Sequence, residues 1–381
     1  MTSRLRILHV AQPVRGGVPV MVRQLATDQV KRGWTVSVAC PSGSDLAPWA
    51  GQAGAELVVW EAARSPGPSL AREVRDLRRI VVATRPDVIH LHTSKAGLAG
   101  RLAVRGHWPT VFQPHAWSFL AADGPAARGA RLWEKFGARW ASVIAYVSEG
   151  ERETGVDAGI RAPWVWLPNG IDLDRFVPAD GTARAHARVR LGLPDAPLVV
   201  CLGRLCHQKA QHDLLDLWPR VRAAVPGAVV AIIGDGPDEV TLRRRAAADI
   251  VVPGWMEDVG PWLTAATVVA IPSRYEAGLS LIARESMATA RSVVATDLPG
   301  VRADFPEGAG ALVPADDRLT LADALIVRLL DPRRADAEGM VGRRRAEVAF
   351  DARATTDRVA ALYEDLAAGG DHRRAHTGAD G

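Results

Sequence analysis

Two cations lie close together in the segment GRLCHQK, where Arg204 and Lys209 fall between an apolar run at Leu198–Leu202 and a helical stretch at Gln211–Ala224. Cations on a strand-to-helix loop, beside the positive end of the helix, are placed to bind a phosphate. Two carboxylates, Glu276 and Glu285, bracket a loop and a helix start in SRYEAGLSLIARESMA. They suggest a polar ligand, the alternative being two solvated surface glutamates. The run at Val229–Ile233 ends in the tight turn Gly234-Asp235-Gly236-Pro237. Nearer the N-terminus, Gly16 and Gly17 separate RILHVA from a helical segment at 20–31, and glycines there let backbone amides approach a ligand. His115 follows the apolar run Thr110–Gln113, at an edge where an imidazole can face a ligand.

Other reactive residue types give less. His90 and His92, in DVIHLH, are expected on opposite faces of a strand, so that they would not chelate one metal together and would serve a structural role. Cys201 and Cys206 lack zinc spacing and a second pair, and with Cys40 they make no disulfide framework. No metal site and no cofactor are expected.

The elements that must position these residues alternate along the whole chain. Short apolar runs at 6–11, 35–39, 56–60, 87–92, 110–113, 143–147 and 164–167 are interleaved with helical segments, which means a parallel, doubly wound sheet. A charged helix at 180–193, flanked by prolines, reads as a linker. The pattern then repeats, with strands at 198–202, 229–233, 250–252, 268–271, 293–295 and 310–313. In such sheets functional residues sit beyond the carboxyl ends of strands, and Ser273–Ser280 occupies such a position. The expected organisation is one α/β domain over 1–175, a second over 176–350, a final helix at 351–366 and a disordered tail at 367–381.

Composition bounds the class of protein. The 381 residues, 48% of them hydrophobic, suit a two-domain globular chain. No apolar run approaches a membrane span and the start leads directly into a strand, so a cytoplasmic location is expected. The net charge of +4 is uneven: residues 1–170 carry 21 Lys and Arg against 13 Asp and Glu, and residues 171–381 carry 26 against 30. The first half therefore favours an acidic partner or surface. Its segment at 125–141 places Arg128, Arg131, Lys135 and Arg139 near one face and Leu132, Phe136 and Trp140 on another. The apolar face reads as core packing; the competing reading is a peripheral contact of the basic face with anionic lipid headgroups at the inner face of the membrane. The basic residues are dispersed and form no nucleic-acid module, so no nucleic-acid partner is expected.

Taken in order, Gly16-Gly17, the His115 corner, Asn169-Gly170-Ile171-Asp172, GRLCHQK, IIGDGP and SRYEAGLSLIARESMA resemble family 4 of the retaining GT-B glycosyltransferases, over residues 6–366. The resemblance implies two Rossmann-like domains facing across a cleft, the first holding the acceptor and the second a nucleotide sugar, with the final helix crossing back to the first domain. Arg204 and Lys209 look like the family's diphosphate-binding pair and Glu285 like its ribose-binding glutamate. Gly16 and Gly17 resemble the loop whose amides meet donor phosphate or acceptor, and His115 the histidine near the donor sugar. Glu276, with the amides of Gly278, Leu279 and Ser280, resembles the loop around the transferred sugar, and Gly234 falls in the donor-facing turn. Two departures stand out: Glu276 and Glu285 are nine positions apart where the family usually has eight, and Ala210 replaces the glycine that usually follows the lysine. The implied reaction is metal-independent transfer of a sugar, with retention, from a nucleoside diphosphate sugar, expected to be uridine-linked. The expected acceptor is a lipid-linked glycan precursor in cell-surface polysaccharide assembly, or alternatively a soluble small molecule. A non-catalytic nucleotide-sugar-binding protein is the alternative of another class.

Overall fold

The computed structural model describes residues 4–12 and 15–369; the segment 370–381, most of the expected disordered tail, lies outside them. The chain divides into two compact units, one formed by the chain up to Gly170 together with the stretch from Arg353 on, the other by Ile171–Ala352.

The first unit is built on seven parallel strands: β1 (Arg6–Ala11), β2 (Thr35–Cys40), β3 (Glu56–Val59), β4 (Val88–His92), β5 (Thr110–Gln113), β6 (Val143–Tyr146) and β7 (Trp164–Trp166), in the spatial order β3-β2-β1-β4-β5-β6-β7. Leu8 of β1 pairs with Ser37 on one side and Ile89 on the other. The central strands β4 and β5 are buried along their whole length, in a sheet covered on both faces, although they carry the polar residues His90, His92, Thr110 and Gln113 among their apolar ones. One face packs on Met21, Val22 and Leu25 of the helix Gly17–Lys31 and on Val359, Leu362 and Tyr363 of the helix Ala352–Ala367; the other packs on Leu77, Val81 and the small residues of Thr93–Val104.

The second unit holds six parallel strands: β8 (Leu198–Leu202), β9 (Val229–Ile233), β10 (Ile250–Gly254), β11 (Val268–Ile271), β12 (Ser292–Thr296) and β13 (Gly310–Val313), ordered β10-β9-β8-β11-β12-β13. The helix Gly181–Arg190, read from sequence as a linker, is instead part of this unit. Its Arg188 is buried because the Nε donates to Ala265 O at 3.1 Å and an Nη to Thr267 Oγ1 at 3.1 Å. Arg184 and Arg188 are buried in the fold while Arg190 is exposed, so the charge of the segment misleads.

In each sheet the strand order reverses once, between β1 and β4 and between β8 and β11. Ligands of doubly wound sheets bind outside the carboxyl ends of the strands at that reversal. In the second unit the flanking loops are 203–210 and 272–280, which contain Arg204, Lys209 and Glu276.

Candidate active site

The two loops at the reversal of the second sheet are stitched together. Gln208 O accepts from the Arg274 amide at 2.8 Å, and its side-chain amide donates to Tyr275 O at 3.0 Å. Beside these bonds the Lys209 ammonium forms an ion pair with the Glu276 carboxylate, both partly buried. The structure thus brings together two of the residues singled out in the sequence, with Glu276 gripping the lysine. Arg204 is exposed, has no carboxylate partner among the described residues, and offers its guanidinium to solvent or ligand; its own carbonyl accepts from Gln211 Nε2 at 3.0 Å, fixing the loop to the helix that follows. Ala210 sits at a φ of 53°, in the left-handed region, so the alanine bears a strain that glycine would not.

The turn after β9 supports this loop from beneath. Gly203 N donates to Ile233 O at 3.0 Å and Leu205 N to Asp235 O at 2.7 Å. At Gly234, with a φ of 143°, a Cβ would lie 2.0 Å from Gly203 O. The glycine is therefore required for two backbones to close on each other, whatever its amide does for a ligand.

Ser280 begins the helix Leu281–Ala288 as its N-cap, its hydroxyl accepting from the Ala283 amide at 3.2 Å. Leu279 is buried in the core, and the loop backbone at Ala277 and Gly278 packs directly on Gly300. One turn into the helix, Glu285 is 6% exposed, and its Oε2 has no hydrogen-bond partner. Burial pushes its pKa up to about 8, with the Arg175 guanidinium pulling the other way. A buried carboxyl oxygen without a partner asks for a donor, and sugar hydroxyls are suited to supply one. Gln211 Oε1 and Ser273 Oγ, close in sequence to the same loops, are likewise buried without partners.

In the first unit, Gly16 is exposed at a φ of 106° and caps the exposed start of the helix Gly17–Lys31. His115 stacks on His92 with ring centroids 5.9 Å apart, and its Nε2 is buried without a partner. Burial lowers its pKa to about 3, which keeps the imidazole neutral.

His90 and His92 do not point to opposite faces. Residues two apart in a strand share a face, and the two rings lie 3.9 Å apart. With His9, whose Nδ1 is 3.0 Å from His92 Nε2, they form a buried trio whose nearest ring nitrogens lie within 4.8 Å of one another. This is the grouping among the described residues that could hold a metal ion. The trio is already engaged by Gln29 Oε1 at 2.8 Å from His9 Nε2 and by the Tyr363 hydroxyl at 2.5 Å from His90 Nδ1.

The segment at 125–141 also departs from expectation. Leu132 and Phe136, read as core, are 67% and 44% exposed, and Arg128, Arg131, Lys135 and Arg139 are exposed with them. The helix Gly124–Gly137 anchors itself through Glu134, which is buried, accepts from Arg101 at 2.6 Å and from Ser118 Oγ at 2.8 Å.

Sequence reading passed over Glu151. Its two carboxylate oxygens accept from the Ala116 and Val147 amides, each at 2.9 Å, while burial pushes its pKa up to about 7. The signal was present: Ser148 and Glu151 have capping-box spacing, and the Ser148 hydroxyl accepts from the Glu151 amide at 3.2 Å.

A model described as Glycosyltransferase Family 4 matches residues 15–175, and one described as Glycosyl transferases group 1 matches residues 196–331. A GDP-mannose-dependent alpha-(1-6)-phosphatidylinositol monomannoside mannosyltransferase of Mycolicibacterium smegmatis is 37% identical over 220 residues, a match spanning 53% of this chain and 57% of that protein. The protein of the same description from Mycobacterium tuberculosis is 30% identical over 370 residues, 90% of this chain and 93% of the relative. Among solved structures, Anabaena HepE in complex with UDP-glucose is alike at a TM-score of 0.81 and 20% identity, covering 94% of this chain and 99% of that one.

Proposed function

We propose that this chain, which belongs to glycosyltransferase family 4 and is a hexosyltransferase-type enzyme of the GT-B fold, transfers mannose from GDP-mannose to a hydroxyl of an inositol-containing glycolipid, with retention and without a metal. Guanosine replaces the uridine expected from sequence because the two relatives above are named as GDP-mannose-dependent. Their names also supply the acceptor class. The exposed basic and apolar face of Gly124–Gly137 suits a peripheral contact with an anionic membrane, where such an acceptor resides. Among the described residues no helix is long and apolar enough to cross one.

The observation that carries the donor reading is the buried, unpartnered Oε2 of Glu285 on the helix that follows the Lys209-bound loop. A ribose hydroxyl would satisfy it. Arg204 and Lys209 would take the negative charge that grows on the departing diphosphate, as fixed cations can without reorganisation. The bond from the anomeric carbon to phosphate breaks as the acceptor oxygen approaches on the same face. The departing phosphate oxygen takes the acceptor's proton, so no side-chain base is needed. What remains for the protein is charge stabilisation and positioning.

A donor panel tests this. Purified enzyme is offered GDP-mannose, UDP-glucose and UDP-galactose, each with membrane-extracted phosphatidylinositol mannoside or with free inositol, in chelator. Transfer from GDP-mannose to the lipid, undiminished by chelator, is expected. Transfer confined to uridine-linked donors, or to the soluble acceptor, contradicts the reading.

A further inference from the structure

The loop after β5 turns on two consecutive non-glycine residues with positive φ, His115 at 51° and Ala116 at 121°. A side chain in the left-handed region costs about 1–2 kcal/mol per residue, and such strain persists only where the surroundings enforce it. Two side chains hold this turn: the Ser94 hydroxyl donates to Ala116 O at 3.1 Å, and Glu151, which is 2% exposed, takes the amide side. One of its carboxylate oxygens accepts the Ala116 amide at 2.9 Å and the other accepts the Val147 amide at 2.9 Å. Its main-chain carbonyl takes the Trp117 indole N–H at 2.7 Å. A single residue at the start of the helix Glu149–Asp157 thus ties the loop after β5 to the end of β6. The His115 ring has no comparable restraint: it stacks on His92, and its Nε2 is buried without a hydrogen bond. The direction of the imidazole is therefore set by the backbone turn, whose Ala116 carbonyl is held by Ser94 and whose Ala116 amide is held by the Glu151 carboxylate.

We propose that Glu151 is a positioning residue for sugar transfer, fixing the Ala116 amide and through it the left-handed turn that aims the His115 imidazole. This rests on the reading of His115 as the histidine beside the transferred sugar. Glu151 is buried behind the turn and acts through its neighbour.

The test is a double-mutant cycle on transfer kinetics of the full chain. In Glu151→Gln the side chain keeps its shape, but its NH2 group must oppose one of the two amides. The expected result is a kcat lowered on the order of 100-fold, as for a misplacement of about 1 Å at a reacting centre, with the donor KM little changed. In a His115→Ala background the same substitution should cost nothing further, because there is no imidazole left to aim. Glu151→Asp, which keeps the charge but withdraws it by one methylene, should behave likewise and replaces Glu151→Gln if that variant does not fold. If Glu151→Gln and Glu151→Asp turn over normally while His115→Ala is slow, the positioning role is wrong and the His115 reading stands. If both substitutions slow the His115→Ala enzyme as much as the wild type, Glu151 is merely structural. If His115→Ala itself transfers at the wild-type rate, the reading on which the inference rests is overturned.

Discussion

Glu285 shows at the scale of one residue how a buried carboxyl without a partner is kept at the expense of stability. Below a pH of 4.5, the ordinary glutamate value, its carboxyl is neutral in both the folded and the unfolded chain. Between there and about 8 the unfolded chain releases the proton while the folded chain retains it. Stability from the neutral group is therefore fully present at acid pH and lost as pH rises through the folded value. The loss amounts to a few kcal/mol, because each tenfold difference in proton affinity between the folded and unfolded chain is worth about 1.4 kcal/mol. Without nucleotide, Glu285→Gln should melt at a higher temperature than wild type at pH 8.5, the gap closing toward pH 4.5, while its affinity for GDP falls. Equal melting curves at both pH values would show that Glu285 is not confined as described. On the proposed reading, the trade follows the general pattern in which functional sites hold groups that the fold alone would discard.

At the scale of elements, the helix Gly124–Gly137 is held from within and open outward. Glu134 is fully buried against Arg101, while Leu132 and Phe136 stand in solvent among four cations. Flotation with vesicles containing anionic lipid at low salt should carry the wild-type protein upward, and Leu132→Ser with Phe136→Ser should leave it behind; a wild type that stays down at low salt removes the proposed membrane surface.

The same element shows where sequence reading reaches its limit. Strands such as Leu198–Leu202 and Val229–Ile233 were legible because a strand buried on both faces must be apolar throughout. Arg204, Lys209 and Glu276 could be placed from sequence on loops at the carboxyl ends of such strands, and Glu285 in the helix that follows. The helix Gly181–Arg190 and the face of Leu132 were misread because burial there depends on partners distant in sequence, such as Ala265 and Thr267 for Arg188. The left-handed turn at His115 and the grip of Glu276 on Lys209 are tertiary facts, and no local pattern announces them. The histidine pair was misplaced by a different route: the two-residue period of a strand puts His90 and His92 on one face, and that period was available in the sequence.

For the whole molecule, two Rossmann-like units carry unlike charge. Residues 1–170 with 353–381 hold 25 Lys and Arg against 18 Asp and Glu, and residues 171–352 hold 22 against 25. On the proposed reading, a negatively charged donor binds the second unit in spite of its net charge, and its binding would rest on a few local cations rather than on the overall field. Arg204 is the cleaner of the two to remove. Lys209 is paired, and its loss strands the partly buried Glu276, whereas Arg204 is exposed and has no carboxylate partner among the described residues. Calorimetric titration of GDP into the wild type and into Arg204→Ala, with turnover measured on the same preparations, is the most direct test of the donor site. Weaker GDP binding and a turnover lowered by roughly 100-fold, the scale of losing one charge-stabilising group, are expected in Arg204→Ala. Unchanged GDP affinity together with wild-type turnover in Arg204→Ala would contradict the donor reading.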